Sequence, residues 1–204
     1  MRVGVDFDNT IAGYDDLFAA LAAEQRLFDE PPRSKRKLRD ALRQREGGEE
    51  AWRRLQSTAY GARMAEAALI DGADRFFDAC RASETEIVIV SHKTRFANFE
   101  SDGTDLRRSA LVWLRDQGFF DDDGFGLCPD QVFFEETRAA KVARIESLDC
   151  AVFIDDLEDV FREPGYPRST RAILFDPDGA AGDGKGEGLT CCRDWDEIRH
   201  AVLG

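Results

Sequence analysis

Residues 3–10 have the sequence VGVDFDNT, an apolar run that ends in two carboxylates, with a hydroxyl two residues further on. The short apolar run around Val3 and Val5 predicts a buried strand. Asp6 and Asp8 then lie where this strand passes into a loop, and two carboxylates so close together repel each other. A divalent cation offsets that repulsion, and Mg²⁺ prefers oxygen ligands of this kind. The stretch therefore predicts a strand followed by a metal-binding loop, and the alternative is an ordinary acidic turn.

The rest of the chain alternates between short apolar runs and amphipathic segments. The runs at residues 87–90, 132–134, 150–154 and 172–175 predict four more strands. Helices are predicted at residues 73–81, 105–117, 137–148 and 194–203. Alternating strands and helices form parallel sheets with right-handed crossovers. We therefore predict an α/β fold with a three-layer, Rossmann-like parallel sheet of about five strands.

Residues 13–71 depart from this alternation, because they carry helix signals and no strand signal. Helices are predicted at residues 14–28, 34–45, 49–60 and 62–69, and Ser34 is placed as the N-cap of the second. The segment therefore predicts an inserted, all-helical domain over residues 13–71. The core domain then consists of residues 1–12 and 72–204.

The predicted insertion also contains a basic segment. Residues 33–54 hold nine Lys or Arg and four Asp or Glu, in a chain whose formal net charge is −13. One interpretation is a solvated face of a helix. The other is that one or two of these cations hold a phosphate or another anionic part of a substrate. The sequence leaves both interpretations open.

Polar side chains follow three of the predicted strands, at the point where each strand ends. Asp6 and Asp8 follow the first strand and Ser91 follows the second. Asp155 and Asp156 follow the fourth. Ligands of parallel α/β sheets bind in the crevice beyond the carboxyl ends of the strands. We therefore expect these side chains to converge on one site.

These residues, in this order along the chain, resemble the four motifs of the haloacid dehalogenase superfamily of phosphatases. Residues 6–10, DFDNT, match the first motif, D-x-D-x-T. Ser91 matches the second motif, a Ser or Thr after an apolar strand, and Lys141 the third, a Lys near the helix before the fourth strand. Asp155 and Asp156 match the fourth motif, an acidic pair. The predicted insertion, between motifs one and two, is similar to the small helical cap of this superfamily.

The resemblance implies a role for each matched residue. Asp6 would be the nucleophile that forms an aspartyl-phosphate, and Asp8 the general acid and then the general base. Thr10 would steady the loop and Asp8. The implied cofactor is Mg²⁺. The residues that would contact phosphate are Thr10, Ser91 and Lys141. Those that would hold the metal are Asp6, Asp8 through its backbone carbonyl, Asp155 and Asp156. Of the last two, Asp156 is favoured as the direct ligand.

Other polar residues near these motifs have less specific interpretations. Lys93 is a rival for the role of Lys141 or a substrate contact. His92 is interpreted as a loop residue, and Asp159 either caps a following helix or approaches the metal. The acidic stretch at residues 121–126 and the glycine-rich stretch at residues 179–188 are predicted to be loops, since neither has the spacing of an EF-hand or a P-loop.

The second acid of motif one favours a phosphatase over a dehalogenase, because an alkoxide leaving group needs a proton and a halide does not. With a cap, the resemblance implies a small phosphomonoester as substrate, such as a sugar phosphate or a nucleotide monophosphate. The alternatives are a phosphonatase, with Lys35 or Lys37 forming a Schiff base, a phosphotransferase, or a non-catalytic binding module on the same fold.

Composition limits the partners and the compartment. Hydrophobic residues make up 43% of the chain and charged residues 34%, a typical globular balance. The net charge of −13 argues against nucleic acid polymers and anionic membranes as partners. The five cysteines are odd in number and form no C-x-x-C pair, and the chain begins directly with the predicted strand. We therefore expect reduced thiols and a cytoplasmic location.

Overall fold

The computed structural model describes residues 1–97, 103–179 and 188–204. The chain divides into two compact units. The first, here called the sheet unit, consists of Met1–Ala12, Leu69–Lys93 and Gln117–Gly204. The second, here called the helical unit, consists of Gly13–Ala68 and Thr94–Asp116. Within the described residues, no helix has both the length and the apolar character needed to cross a bilayer.

The sheet unit contains a six-stranded parallel sheet. From one edge to the other, its strands are β5 (Val132–Glu135), β4 (Glu86–His92), β1 (Arg2–Val5), β6 (Val152–Asp155), β7 (Arg171–Phe175) and β8 (Leu189–Cys192). The strand β1 lies inside the sheet, between β4 and β6, because its apolar residues are buried on both faces.

Helices pack on both faces of this sheet. On one face, Val88 and Val90 of β4 join a core cluster with Val142 and Ile145. On the other face, Phe175 of β7 lies 5.9 Å from Trp195, ring centroid to ring centroid. The predicted three-layer α/β fold is therefore confirmed. The helices of this unit are α4 (Ala73–Ala82), α6 (Arg138–Ser147), α7 (Glu158–Phe161) and α8 (Trp195–Leu203), with a short 3₁₀ turn at Pro129–Gln131.

The helical unit is built around buried aromatic side chains. Phe18 stacks on Trp52 with ring centroids 4.9 Å apart, and Tyr14 meets Tyr60 edge to face at the same distance. The indole N–H of Trp113 donates to the carbonyl of Ala67 at 2.9 Å. The helices of this unit are α1 (Asp15–Glu24), α2 (Lys35–Arg43), α3 (Gly48–Tyr60) and α5 (Leu106–Asp116), with a 3₁₀ turn at Met64–Glu66.

The structure departs from the sequence-based prediction in four places. Residues 62–69 form no α-helix but the 3₁₀ turn and a strand, β3 (Ala68–Leu69), which pairs with β2 (Ala12–Gly13) in a separate two-stranded sheet. Strands of two residues are too short to show a periodicity. The edge strand β8 (Leu189–Cys192) was missed, since only one of its four residues is buried, and so was the single-turn helix α7 (Glu158–Phe161).

The fourth difference concerns the domain boundaries. The prediction placed residues 94–116 in the core, whereas in the structure they belong to the helical unit. Helix α5 does have an apolar face, as the sequence indicates, but this face is directed to helical neighbours such as the Met64–Glu66 turn. The glycine-rich loop predicted at residues 179–188 lies mostly outside the described residues.

Candidate active site

Asp6 is placed by the parallel pairing of β1 with β6. Val5 is in register with Ile154, and the backbone N–H of Asp6 donates to the carbonyl of Ile154 at 2.9 Å. Each strand continues directly into acids, so this register sets Asp6 beside Asp155. Asp6 is only 4% exposed and Asp155 only 1%. Two carboxylates are thus buried side by side at the carboxyl ends of neighbouring strands.

The ammonium group of Lys141 bridges these two carboxylates. Its Nζ lies 2.5 Å from Oδ1 of Asp6 and 2.6 Å from Oδ2 of Asp155. Lys141 itself is buried in α6. Burial alone would lower the pKa of Lys141, but the charges of Asp155 and Asp6 outweigh burial and raise this pKa above its ordinary value. The lysine therefore carries its charge at neutral pH.

Asp156 completes a group of three acids. One carboxylate oxygen from each of Asp6, Asp155 and Asp156 lies within 4.8 Å of the others. Both oxygens of Asp155 already accept hydrogen bonds, Oδ2 from Lys141 and Oδ1 from the backbone N–H of Leu157 at 2.9 Å. Asp156, which was predicted to be the direct metal ligand, is half-buried.

Asp8 has a different partner, the ammonium of Lys93. The Nζ atom of Lys93 lies 2.7 Å from Oδ2 and 3.0 Å from Oδ1 of Asp8. Lys93 follows β4 and is 4% exposed. After Asp8 the chain turns through Asn9, whose φ is +62°. Sequence reasoning left Lys93 as a rival of Lys141, but the two lysines pair with different acids.

The two remaining motif residues are buried hydroxyls. The Oγ1 of Thr10 lies 3.5 Å from Oδ2 of Asp6, so among the described contacts it supports Asp6 rather than the expected Asp8. The carbonyl of Thr10 accepts from the indole N–H of Trp195 at 3.2 Å, which anchors the loop. The Oγ of Ser91 is buried and has no hydrogen-bond partner within the described residues. A buried hydroxyl without a partner is uncommon, and a ligand oxygen would satisfy it.

The other candidate residues make contacts of their own. His92 is the last residue of β4 and not the loop residue that was predicted, and its Nε2 pairs with the carbonyl of Glu136 at 3.0 Å. Asp159 lies in α7 and is 3.6 Å from Arg138, so it pairs with a surface cation. In the basic segment, Arg43 and Arg53 both pair with Glu49, at 2.7 and 3.4 Å. These pairs fit the interpretation of a solvated helix face.

The charges of the site suit a divalent cation. The four acids Asp6, Asp8, Asp155 and Asp156 and the two ammonium groups of Lys93 and Lys141 leave a formal charge of −2. Burial raises the pKa of Asp155, and the charge of Lys141 opposes this rise more strongly than the charge of Asp6 adds to it. A hard cation with oxygen ligands, such as Mg²⁺, fits this set of donors.

Comparison with solved structures identifies the architecture. The HAD-hydrolase YfnB from Bacillus subtilis, solved bound to magnesium, superposes with a TM-score of 0.58 at 16% identity, over 100% of this chain and 98% of that one. The chain has the haloacid dehalogenase (HAD) fold. A phosphoserine phosphohydrolase-like protein from Francisella tularensis, with the same fold, gives a TM-score of 0.57 at 11% identity over 99% of both chains.

The likeness to the HAD fold extends over nearly the whole chain. A HAD-superfamily hydrolase from Ehrlichia chaffeensis gives a TM-score of 0.56 at 14% identity, over 98% of this chain and 95% of that one. No protein-family model matches the sequence, and no curated protein sequence matches it. The HAD fold predicted from the four motifs is therefore confirmed by structure, at a sequence identity of only 11–16% to the three proteins named here.

Proposed function

We propose that this chain is a Mg²⁺-dependent phosphatase of the HAD superfamily, which hydrolyses a small phosphomonoester through an aspartyl-phosphate on Asp6. The observation that carries this proposal is the buried group of Asp6, Asp155 and Lys141, with Asp156 beside it. Lys141 supplies one positive charge against these three carboxylates, and a divalent metal ion is a ligand that the remaining negative charge suits. A neighbour with the same fold is a magnesium-bound hydrolase, which supports the proposal.

Asp6 would attack the phosphorus atom of the substrate. A carboxylate oxygen of Asp6 forms a bond to phosphorus while the bond from phosphorus to the leaving oxygen breaks. Lys141 and Thr10 restrict the Asp6 carboxylate from two sides, which orients it before substrate arrives. Asp6, Asp155, Asp156 and the backbone carbonyl of Asp8 would hold Mg²⁺, whose charge would offset the repulsion between the Asp6 carboxylate and the phosphoryl oxygens.

Asp8 would transfer protons in both halves of the reaction. It gives a proton to the departing alkoxide and then takes one from the water that hydrolyses the aspartyl-phosphate. Asp8 suits this role because its side chain is 19% exposed and lies two residues beyond Asp6, whereas Asp155 is enclosed by Lys141 and Leu157. Proton transfer of this kind contributes about 10²–10⁴-fold to the rate.

Ser91 would bind the transferred phosphoryl group. Ser91 lies near the carboxyl end of β4, the strand next to β1, and its buried Oγ is without a partner in the described part of the chain. In this role the hydroxyl donates a hydrogen bond to a phosphoryl oxygen, and the position of that donor is fixed before the reaction begins. The predicted cap over residues 13–71 would limit the substrates to small molecules such as sugar phosphates and nucleotide monophosphates.

The phosphonatase alternative is less well supported. It needs a neutral lysine in the cap, and the ammonium of Lys35 lies 5.2–5.4 Å from the ring centroids of Tyr14, Phe18 and Tyr60. Three aromatic faces stabilise the charged form of a lysine and thereby disfavour the neutral amine that a Schiff base requires. Lys37 lies at an exposed position of α2, and an exposed position does not favour the neutral amine either.

The proposal is tested with a panel of sugar phosphates and nucleotide monophosphates, assayed for phosphate release with Mg²⁺ and with a chelator. We expect hydrolysis of at least one substrate with Mg²⁺ and none with the chelator. The near-isosteric variant Asp6→Asn should lose turnover and should not accumulate an acid-stable phosphoenzyme, while Asp159→Asn, the matched control at a surface pair, should retain both. Hydrolysis by Asp6→Asn at the wild-type rate would remove Asp6 from the role of nucleophile.

A further inference from the structure

We propose that Lys93 is a positioning residue for proton transfer, which holds the carboxylate of Asp8 in its working orientation. This inference deepens the proposed function and depends on it. The four matched motifs assign no role to Lys93. The evidence for the role is the way the lysine is held in place and the atoms that it contacts.

Lys93 is held rigidly at both ends of its side chain. Its backbone N–H donates to the carbonyl of Glu135 at 3.0 Å, which fixes the start of the side chain at the end of β4. The ammonium lies 5.4 Å from the ring centroid of Phe7, a residue that is fully buried and packs edge to face on Phe134. A buried aliphatic stem and a cation–π contact leave this lysine little freedom.

The atoms of Asp8 that Lys93 contacts are the ones that would carry the proton. The ammonium donates to both carboxylate oxygens, so it sets the plane of the carboxylate and not only its distance. Asp8 lies on a loop after β1 and is more exposed than the other acid of its motif. Without the lysine, rotation about its side-chain bonds would carry the carboxylate away from the leaving oxygen, and proton transfer needs hydrogen-bond distance.

The two buried lysines therefore have separate tasks. Lys141 contacts Asp6 and Asp155, the acids proposed to attack phosphorus and to complete the metal site. Lys93 contacts Asp8, the acid proposed to handle protons. A lysine that binds phosphate would affect all substrates alike, whereas a lysine that acts through Asp8 would affect only the steps in which Asp8 moves a proton. This difference can be measured.

The kinetic test compares Lys93→Met, Asp8→Asn and the double variant. For an alkyl phosphate from the panel, kcat of Lys93→Met should fall about 10–100-fold, the effect of misplacing a reacting group by about 1 Å. The pre-steady-state burst with 4-nitrophenyl phosphate should keep its rate, because 4-nitrophenolate leaves without a proton. Inhibition by inorganic phosphate should be unchanged.

In the Asp8→Asn background, Lys93→Met should cause no further loss of kcat. The effects of the two substitutions are not additive, because Lys93 acts through Asp8.

Two results would overturn the proposal: additive losses in the double variant, or weaker inhibition by inorganic phosphate in Lys93→Met. His92→Ala, which alters the neighbouring side chain that pairs with the Glu136 carbonyl, is the matched control and should behave as the wild type. The double variant carries no unpaired charge at this position, so it remains informative if Lys93→Met alone folds poorly.

A crystal structure of Lys93→Met tests the proposal independently of activity. We expect the Asp8 carboxylate to occupy more than one orientation in this variant and a single one in the wild type. A single, unchanged orientation of Asp8 in the variant would contradict the proposal even if the enzyme were active. Failure of the wild type to hydrolyse any substrate would instead refute the proposed function, and the orientation of Asp8 would still decide the role of Lys93.

Discussion

Replacing Lys141 with methionine gives the sharpest test of how this site is stabilised. The variant keeps most of the volume of the side chain and removes a cation that touches both Asp6 and Asp155. These two side chains are 6% and 1% exposed, so water does little to replace the lost charge. Two buried carboxylates would then face each other without the counterion that binds them both.

The expected cost follows from this burial. Removing one partner of a buried ion pair costs about 3–5 kcal/mol, because it leaves an uncompensated charge in a poor solvent. For a chain of 204 residues, each kcal/mol lowers the melting temperature by about 2–4 °C. Without metal, the melting temperature of Lys141→Met should therefore fall by about 6–20 °C relative to the wild type.

The measurement is thermal unfolding at pH 7.5, where the raised pKa of Lys141 keeps the wild-type ion pairs at full strength. Stability from a raised lysine pKa is present below its unfolded value and is lost only as the pH rises toward the folded value. Saturating Mg²⁺ at about 100 times its dissociation constant stabilises a folded protein by about 2.7 kcal/mol. Mg²⁺ should raise the melting temperature of the variant more than that of the wild type, because the variant has one more uncompensated negative charge.

The control is Lys37→Met, at an exposed position of α2, which should change the melting temperature by no more than about 2 °C. If Lys141→Met melts within about 2 °C of the wild type in chelator, the buried ion pairs do not contribute as argued. An equal response of both proteins to Mg²⁺ would show that the acids around Lys141 do not form the metal site.

The remaining predictions concern Ser91 and Thr137. Ser91→Ala should weaken inhibition by inorganic phosphate about 5–10-fold, because the complex with phosphate loses one hydrogen bond of about 1 kcal/mol or slightly more. The melting temperature of the free protein should not change. Unaltered inhibition would exclude Ser91 as a phosphate ligand. Thr137→Ala should cost about 1 kcal/mol of unfolding free energy, because the Oγ1 of Thr137 accepts the N–H of Ala140 at 3.1 Å as the N-cap of α6. Thr137→Ser keeps the hydroxyl and should restore most of this loss in urea unfolding, and an equal loss in both variants would contradict the capping role.

The sequence predicts the nucleophile strand and the acids of the site because local chemistry determines them. An apolar run that ends in Asp6 or Asp155 has few interpretations other than a buried strand that opens into a polar loop. The parallel register then follows from the alternation of strands and helices, and it brings Asp6 beside Asp155. Lys141 could be assigned only through the resemblance, since a single lysine on a helix carries no signal of its own.

The features that sequence reasoning missed depend on contacts between distant segments. The pairing of Lys93 with Asp8 requires β4 to lie beside β1, with both side chains directed to the same point. The assignment of helix α5 to the helical unit depends on packing, because the same apolar face would suit a sheet equally well. The strands β2 and β3 exist only as a pair, so neither has a signal in its own stretch of sequence.

The position of β1 in the middle of the sheet has a consequence for folding during translation. β1 (Arg2–Val5) is synthesised before its two partners, β4 (Glu86–His92) and β6 (Val152–Asp155), and β6 lies about three quarters of the way along the 204-residue chain. At about 5–20 residues per second, about 8–30 seconds pass before both neighbours of this apolar strand have been synthesised, and until then its edges are unpaired. Nascent chains are therefore vulnerable to aggregation through this strand, and a holdase that covers it during translation should raise the yield of active protein.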